Sequence, residues 1–578
     1  MATVSTEDFP SLLRRIDAAD EITVDLETTG LHPWLGDEMV GTAIQTDGRD
    51  TYYVPFRHLH SNLPPVCLGP LVKTLERHPN HVYFNAQFDI QFLMAEGMKL
   101  PVHIKDSMLA AHLVDENEPS HALKTLGDKY IGTGASAEQK ALDTILLEHK
   151  LKKNEMGKLD PALVAPYAEQ DVRLTTQLLR FYEPKLAAWH ISHLFDEANE
   201  YARALTDMSV TGIAIDVNLT RQYLEECGPQ TDAAKATLRK LADNPNLNPA
   251  SAPQMKKLLG LPSTAAPFLE RLQMQGKLSD EQKTLVDAIQ LFRSWNRTAG
   301  AYYQPYLESM DENGVLHPTF NQARVVTGRL SCSDPNLQAI PRHDDRVVGK
   351  VKNIFIARPG FTLANADYGQ AELRMLAHYT QDQEMIDLFL SGVDFHGATA
   401  EQFHMSRDVA KRINFGIAYG LGKRGLSERT GLTEQQAAAH LKRYHNGHPG
   451  IRRLMNMAES TAVNRGYIRM WTGRPARFPA GARDAHKAMS TLIQGGVGEV
   501  MRVKITELHK GLPRFGARMT LQVHDSIMFE IPDENLQETL AYIRATMTDL
   551  PFSCPFIVDI EVGKRWGTAE KVKQGVAA

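Results

Sequence analysis

From Glu21 to Glu27 the apolar residues Ile22, Val24 and Leu26 alternate with Thr23, Asp25 and Glu27. A period of two predicts a strand with Asp25 and Glu27 on one face. His81–Gln87 also reads as a strand, while Leu12–Ile16 and Leu71–His78 carry helical spacing. Residues 100–200 read as mostly helical, ending in Ala165–Leu186. Residues 200–310 are helical and polar, broken at 243–253 by a Pro- and Asn-rich loop. Strand and turn signals return over 311–380, helical signals over 396–480, and 515–565 reads as strand-rich. Within that last stretch, Arg518–Val523 and Ser526–Ile531 predict a short hairpin with His524 and Asp525 at its turn. No internal repeat or low-complexity segment interrupts this order. The pattern predicts an α/β multidomain chain whose first α/β block closes near residue 190.

Composition adds little to that picture until charge is located. A chain of 578 residues needs more than one core, and 43% hydrophobic with 23% charged residues is ordinary for a globular protein. No run of apolar residues is long enough to span a membrane, and the N-terminus lacks the pattern of a secretory signal. Cys67, Cys227, Cys332 and Cys554 lie far apart and form no C-x-x-C pair, which fits a reducing compartment and argues against structural zinc. A cytoplasmic chain with no membrane partner is expected. The net charge is −5, yet residues 401–480 hold 14 Lys/Arg against 5 Asp/Glu. That excess suits contact with phosphates, and equally a solvated basic surface.

Three stretches of the first block carry acids in costly places. Asp25 and Glu27 on one strand face repel each other unless a cation lies between them; a solvent-facing edge strand would also tolerate them. Asp89 stands within the apolar, aromatic run Phe84–Leu93. Tyr167 and Asp171 are four apart, so they share one face of a helix. Oxygen-only sets of this kind suit hard divalent ions.

A second set lies in the C-terminal half. Asp367 falls where the apolar strand 361–367 gives way to a helix, a common station for a catalytic acid and also for a helix cap. In Ser406–Gly420, Ser406 suits an N-cap and Asp408 the first turn. Arg407, Lys411, Phe415 and Tyr419 then recur every four residues, forming a slowly drifting stripe of two cations followed by two aromatic rings. A buried structural stripe would be apolar throughout. This one suits a ligand with a polyphosphate at one end and a flat base at the other.

Asp25 with Glu27, Asp89, and the Tyr167-x-x-x-Asp171 spacing resemble the three motifs of DEDDy 3′→5′ exonucleases of ribonuclease H-like fold, over residues 1–190. The run from Asp367 to Arg374, the Arg407–Gly420 helix and Val523-His524-Asp525 resemble motifs A, B and C of family A, DNA polymerase I-like, DNA polymerases. Residues 327–341 resemble that family's palm–thumb signature, and Thr491–Gly496 its minor-groove-reading segment. The resemblance implies an exonuclease domain over 1–190 and a right-hand polymerase over 191–578. Within the latter it implies a thumb over about 200–300, a palm over about 301–395 and 481–578, and fingers over about 396–480.

The same resemblance implies roles. Asp25, Glu27, Asp89 and Asp171 would bind two metal ions, with Tyr167 orienting the attacking water. Asp367 and Asp525 would hold two Mg²⁺, for which Mn²⁺ can substitute. Arg407 and Lys411 would bind the triphosphate, with Lys411 the proton donor to pyrophosphate and His396 a further contact. Phe415 would pack on the nucleotide and Tyr419 near the templating base. Gln370 would touch the nucleotide, and Glu372 would exclude a ribose 2′-hydroxyl. Arg329, Gln494, Thr327, Asn336, Gln338 and His524 would contact DNA. The implied substrates are dNTPs and primer-template DNA, and the implied partners are replisome proteins such as a helicase-primase and a single-strand binding protein. The chain is expected to be monomeric. Its length and the lack of a 5′-nuclease block lead to the expectation of a bacteriophage replicative enzyme. A repair polymerase, a single-subunit RNA polymerase and an inactive DNA-binding protein are the rivals; Glu372 and the exonuclease set argue against the second, and intact Asp367, Lys411 and Asp525 against the third.

Several positions depart from the family pattern. Gly369 stands where Ser is usual, Ala339 where Asn is common, and His486 and Ser490 replace Arg and Asn. Lys352 replaces a frequent Arg, losing its planar fork. Phe415 rather than Tyr implies discrimination against dideoxynucleotides. Ser526 follows Asp525 where Glu is usual, so that carboxylate is expected to be dispensable here.

Overall fold

The computed structural model describes residues 3–132, 134–340, 348–402 and 404–572. Pro341, the last residue of the 327–341 signature, lies outside them.

Strand β1 (Ile22–Thr28) is the centre of a five-stranded sheet, with β2 (Met39–Thr46) and β3 (Asp50–Pro55) on one side. On the other side lie β4 (His81–Tyr83) and β5 (Ile104–Asp106), parallel to β1. A central position removes the edge-strand alternative for Asp25 and Glu27. Ile22, Val24 and Leu26 enter the apolar core. The opposite face meets the helix Pro161–Ala188, where the Thr23 and Thr176 hydroxyls lie 2.6 Å apart. The strand expected over 81–87 stops at Tyr83. Asn85 takes a left-handed φ of 67°, and a helix runs from Ala86 to Ala95, so Asp89 sits in a helix's first turn.

The helix Ser192–Thr211 belongs to two cores at once. Leu194, Phe195 and Ala198 pack with the first sheet, while Tyr201, Leu205 and Met208 pack with the C-terminal half. Strand Ile213–Ile215 then pairs with Val315–Leu316 and Phe355–Ile356. The helix that follows begins in the same large core, to which Cys227 belongs, and ends in a separate one, to which Leu238 belongs. The helices Val217–Leu241, Ala252–Leu259, Ala266–Met274 and Asp280–Thr298 share this small core, including Leu238, Met255, Leu269 and Ile289.

A second five-stranded sheet is antiparallel throughout. Its order is Arg518–Val523, Ser526–Pro532, Phe361–Tyr368, Val558–Gly563, Glu570–Lys571. The expected hairpin at 518–531 forms, with His524 at φ 55° in its two-residue turn. The strand-rich reading of 515–565 misses the helix Leu536–Thr548, whose Leu540, Ile543 and Met547 cover the sheet.

Buried ionic and aromatic contacts join the two halves. Trp34 stacks on His317 with ring centroids 4.6 Å apart. Arg477 Nη1 meets Glu116 Oε2 at 2.5 Å, and Arg474 Nη2 lies 3.2 Å from His112 Nδ1. Arg474 also faces Glu499, itself bonded to Arg502 at 2.7 Å. Glu116, His112, Arg474, Glu499 and Arg502 are buried, so removing one partner of these ion pairs would strand a buried charge.

Candidate functional site

Strand register brings together the acids of the C-terminal half. Asp367 lies opposite Ser526, so Asp525, one residue on, stands beside it although 158 positions separate them in sequence. The Tyr368 amide donates to the Asp525 carbonyl at 3.1 Å, tying the hairpin tip to the strand end. Asp367 is exposed and Asp525 half-buried. The helix Ala371–Thr380 starts after Gln370, in a left-handed conformation, and has no side-chain cap, which removes the capping reading of Asp367.

Both acids line a cavity of about 720 Å³. Its far wall is the helix Arg407–Ala418, capped by Ser406, whose hydroxyl accepts the Val409 amide. Arg407, Lys411, Phe415 and Tyr419 all face this cavity. Spacing of four thus delivers cations and rings to one surface, as the stripe predicts. The Phe415 and Tyr419 rings stack, with centroids 6.4 Å apart. Tyr419 Oη donates to Glu372 Oε2 at 2.9 Å, and Arg329 Nη2 donates to Glu372 Oε1 at 2.5 Å. Burial and the Glu372 carboxylate push the Tyr419 hydroxyl up to about 12.

Other expected residues divide. Gln370, Gln338 and His524 line the cavity. Gln338 Nε2 donates to Gln522 Oε1 at 2.6 Å. His396 lines it too, yet is only 3% exposed, with Nδ1 3.0 Å from Asn414 Nδ2. Burial lowers its imidazole to about 4, so it is neutral at pH 7. Thr327, Asn336 and Gln494 lie off the cavity. Asn336 caps a short turn by accepting the Gln338 amide at 3.1 Å. Gln494 offers its carbonyl to Arg329 Nε at 3.4 Å, and the Thr327 carbonyl would stand 3.0 Å from a Cβ at Gly495.

Three neighbours escaped sequence reasoning because nothing local marks them. Tyr201 and Gln522 line the cavity from distant elements. Asp394 caps the helix Phe395–Gln402 through the His396 and Gly397 amides and also binds Arg407, Nε to Oδ2 at 2.6 Å. Arg407 holds the Asp394 carboxyl below the usual range. One departure from the family pattern acquires a cause: a Cβ at Gly369 would lie 3.1 Å from Ile557 Cγ1, so a side chain there must displace Ile557. Ser526 donates its hydroxyl to the Val523 carbonyl at 3.0 Å, closing the tight turn beside Asp525.

The first block builds a different site. A cavity of about 490 Å³ is lined by Asp25, Glu27, Tyr167 and Asp171, with Leu31 and Phe88 as apolar walls. Asp89 lies behind it, accepting the Leu26 amide at 3.0 Å. Burial pushes Asp25 up to about 6 and Glu27 to about 8, and Glu27 is raised further by Asp25. Burial and then Asp25 also raise Asp89. Two lysines outside every motif offset this charge. Lys124 forms an ion pair with Asp171, and Lys153 Nζ donates to Tyr167 Oη at 2.9 Å. Asp106, another buried acid nearby, spends its oxygens on the amides of Asn85, Ala86 and Met108, so it serves the scaffold.

The donor set fits hard divalent ions. It is all carboxylate oxygen, it is buried, and Glu27 Oε1 has no hydrogen-bond partner. Among the described residues no three acid, histidine or cysteine side chains are already gathered into a metal cage. No helix of the described residues is long and apolar enough to cross a membrane.

Known proteins resemble the chain along nearly its whole length. A model of DNA polymerase family A matches residues 219–568, and a model of 3′-5′ exonucleases matches residues 1–187. DNA polymerase I of Pseudomonas aeruginosa is 27% identical over 97% of this chain and 65% of its own length. The thermostable DNA polymerase I of Thermus aquaticus is 30% identical over 83% of this chain and 57% of its own. The chain thus spans roughly three fifths of these curated relatives. These relatives are bacterial, not phage proteins. A solved structure described as the POL domain of Pol1 from M. smegmatis, in complex with DNA primer-template and dNTP, shares the fold with a TM-score of 0.83. Its identity is 22%, covering 98% of this chain and 99% of that one.

Proposed function

The chain belongs to DNA polymerase family A and carries a 3′-5′ exonuclease domain, and from that premise we propose that it extends a DNA primer from dNTPs and removes mispaired 3′ ends. The observation that carries this reading is the strand register that sets Asp525 beside Asp367, facing the Arg407–Tyr419 stripe across one cavity. In the proposed division, 1–190 hydrolyses, 217–298 grips duplex DNA, the sheet of Asp367 and Asp525 is the palm, and 396–480 forms the fingers.

In the polymerase site, Arg407 and Lys411 neutralise the triphosphate, and Lys411 delivers a proton to the departing pyrophosphate. Arg407 exchanges Asp394 for phosphate, and Asp394 keeps its two backbone amides. Phe415 and Tyr419 present a stacked surface to the base. Glu372, pinned by Arg329 and Tyr419, crowds a ribose 2′-hydroxyl, so dNTPs are the substrates. Arg329 reaches the minor groove, supported by Gln494 and Thr327, while Gln338, Asn336 and His524 guide the primer and template.

In the exonuclease site, of DEDDy type in this reading, Tyr167 orients the attacking water, and Leu31 with Phe88 hold the terminal nucleotide. Asp367 with Asp525, and Asp25 with Glu27, Asp89 and Asp171, would each hold two Mg²⁺, which when bound supply Lewis acidity for the attacking and leaving oxygens. The setting expected from chain length, a bacteriophage replisome, has no support among the relatives named. The setting proposed is DNA polymerase I-like synthesis, in replication or repair, in a bacterial cytoplasm.

Primer extension with dNTPs against NTPs tests the reading. Extension with dNTPs alone is expected, with ddTTP disfavoured against dTTP because residue 415 is Phe. Extension with NTPs alone would assign an RNA polymerase, and no extension with either would leave a DNA-binding protein. Comparable incorporation of ddTTP and dTTP would refute the role given to Phe415.

A further inference from the structure

Two ammonium groups stand beside the exonuclease acids, carried by elements that supply none of them. Lys124, on the helix Leu123–Tyr130, pairs with Asp171 and lies 4.6 Å from the centroid of the Tyr167 ring. Lys153, at the start of the turn Lys153–Lys158, donates to Tyr167 Oη and lies 4.9 Å from the same centroid. The two differ in their access to water. Lys153 is exposed, whereas the Lys124 side chain is 19% exposed and that of Asp171 only 7%. In a pair so shielded, removing one partner leaves the other as an uncompensated, poorly solvated charge. The pair also commits Asp171 to an ammonium at the place where the metal-binding reading needs its oxygens.

We propose that Lys124 is an internal counter-cation: it holds Asp171 while the acid site is metal-free and gives it up when a divalent ion binds. The inference rests on reading Asp25, Glu27, Asp89 and Asp171 as a metal site. Burial disfavours the charged forms of Asp25 and Glu27, and with no metal the nearby positive charge of Lys124 offsets the charge that Asp25 and Asp171 keep. A divalent ion carries twice the charge and binds several carboxylates at once, so it displaces a single ammonium. The flexible stem of Lys124 lets its head swing toward solvent without moving the helix. The device trades metal affinity for stability of the metal-free fold.

The test is calorimetric titration of the full chain with Mn²⁺ at fixed pH and salt. Asp367→Asn and Asp525→Asn are included so that only the exonuclease acids contribute. Lys124→Met keeps the stem and removes the charge. It is expected to bind Mn²⁺ at least about fivefold more tightly, where tenfold corresponds to about 1.4 kcal/mol. Its metal-free melting temperature should fall and be restored by Mn²⁺, while Lys124→Arg stays at the parent affinity. Lys124→Gln serves the same purpose if the Met variant folds poorly. An unchanged or weaker affinity in both neutral variants overturns the proposal. Mn²⁺ binding that survives Asp25→Asn undiminished overturns the metal-site reading beneath it, a separate and recognisable failure.

Discussion

The chain holds acids in two opposite electrostatic settings. In the C-terminal half, Asp367 is exposed and Asp525 half-buried at a hairpin tip, with Arg407 and Lys411 across an open cavity. In the first block, Asp25, Glu27, Asp89 and Asp171 are packed between a central strand and two helices, their charges offset by Lys124 and Lys153. Under the proposed function, the contrast follows from what each site would receive. A triphosphate brings its own charge and oxygens, so two acids at a wet surface suffice. A phosphodiester at a strand end brings one negative charge, so the first site gathers four acids in a drier place and must balance them itself. Catalytic acids of one molecule can therefore be stabilised in opposite ways.

Apart from loss of the acids themselves, the largest single-residue effect that bears on this comparison concerns Lys411. Lys411→Ala is expected to slow primer extension by about 10²–10⁴-fold, as loss of a proton donor does, while leaving hydrolysis of single-stranded DNA unaltered. Equal losses in both activities would break the separation of the sites.

A second prediction uses the pH response of the buried set. Glu27 and Asp25 titrate at about 8 and 6 in the folded chain, against 4.5 and 3.8 for ordinary groups. The folded state then binds more protons between those values, so their contribution to stability is full below about pH 4 and lost as pH rises toward 8. Melting of the metal-free chain should show a decline in the first block between pH 5 and 8, and Glu27→Gln should flatten it. A metal-free stability that rises across that interval would contradict the buried, mutually repelling arrangement.

The smallest effect comes from making the two settings more alike. Ser526→Glu adds a third acid beside Asp525 and removes the hydroxyl bonded to Val523. The polymerisation rate is expected to change by less than about tenfold, or about 1.4 kcal/mol of barrier. A gain of tenfold or more would mean that the open site lacks a carboxylate it can use.

Much of both sites was legible because regular elements convert spacing into placement. Alternation put Asp25 and Glu27 on one strand face, and steps of four put Arg407, Lys411, Phe415 and Tyr419 on one helix face. The hairpin turn at His524 and Asp525 was readable for the same reason. Illegible were groups whose place depends on how separate elements pack. Lys124, Lys153 and Tyr201 reach their sites from elements with no motif of their own. The burial of His396 against Asn414 depends on two helices meeting. Residues 217–298 could be read as helical, but the helix Val217–Leu241 passes from the large core at Cys227 to a small one at Leu238, which no local pattern reveals.

Two independent acid sites acting on one DNA should be separable by assaying both activities in two variants side by side. Asp367→Ala should abolish primer extension and retain 3′→5′ hydrolysis, and Asp25→Ala should abolish hydrolysis and retain extension. If either substitution, in a chain that still melts like the parent, removes both activities or neither, the two-site account is contradicted.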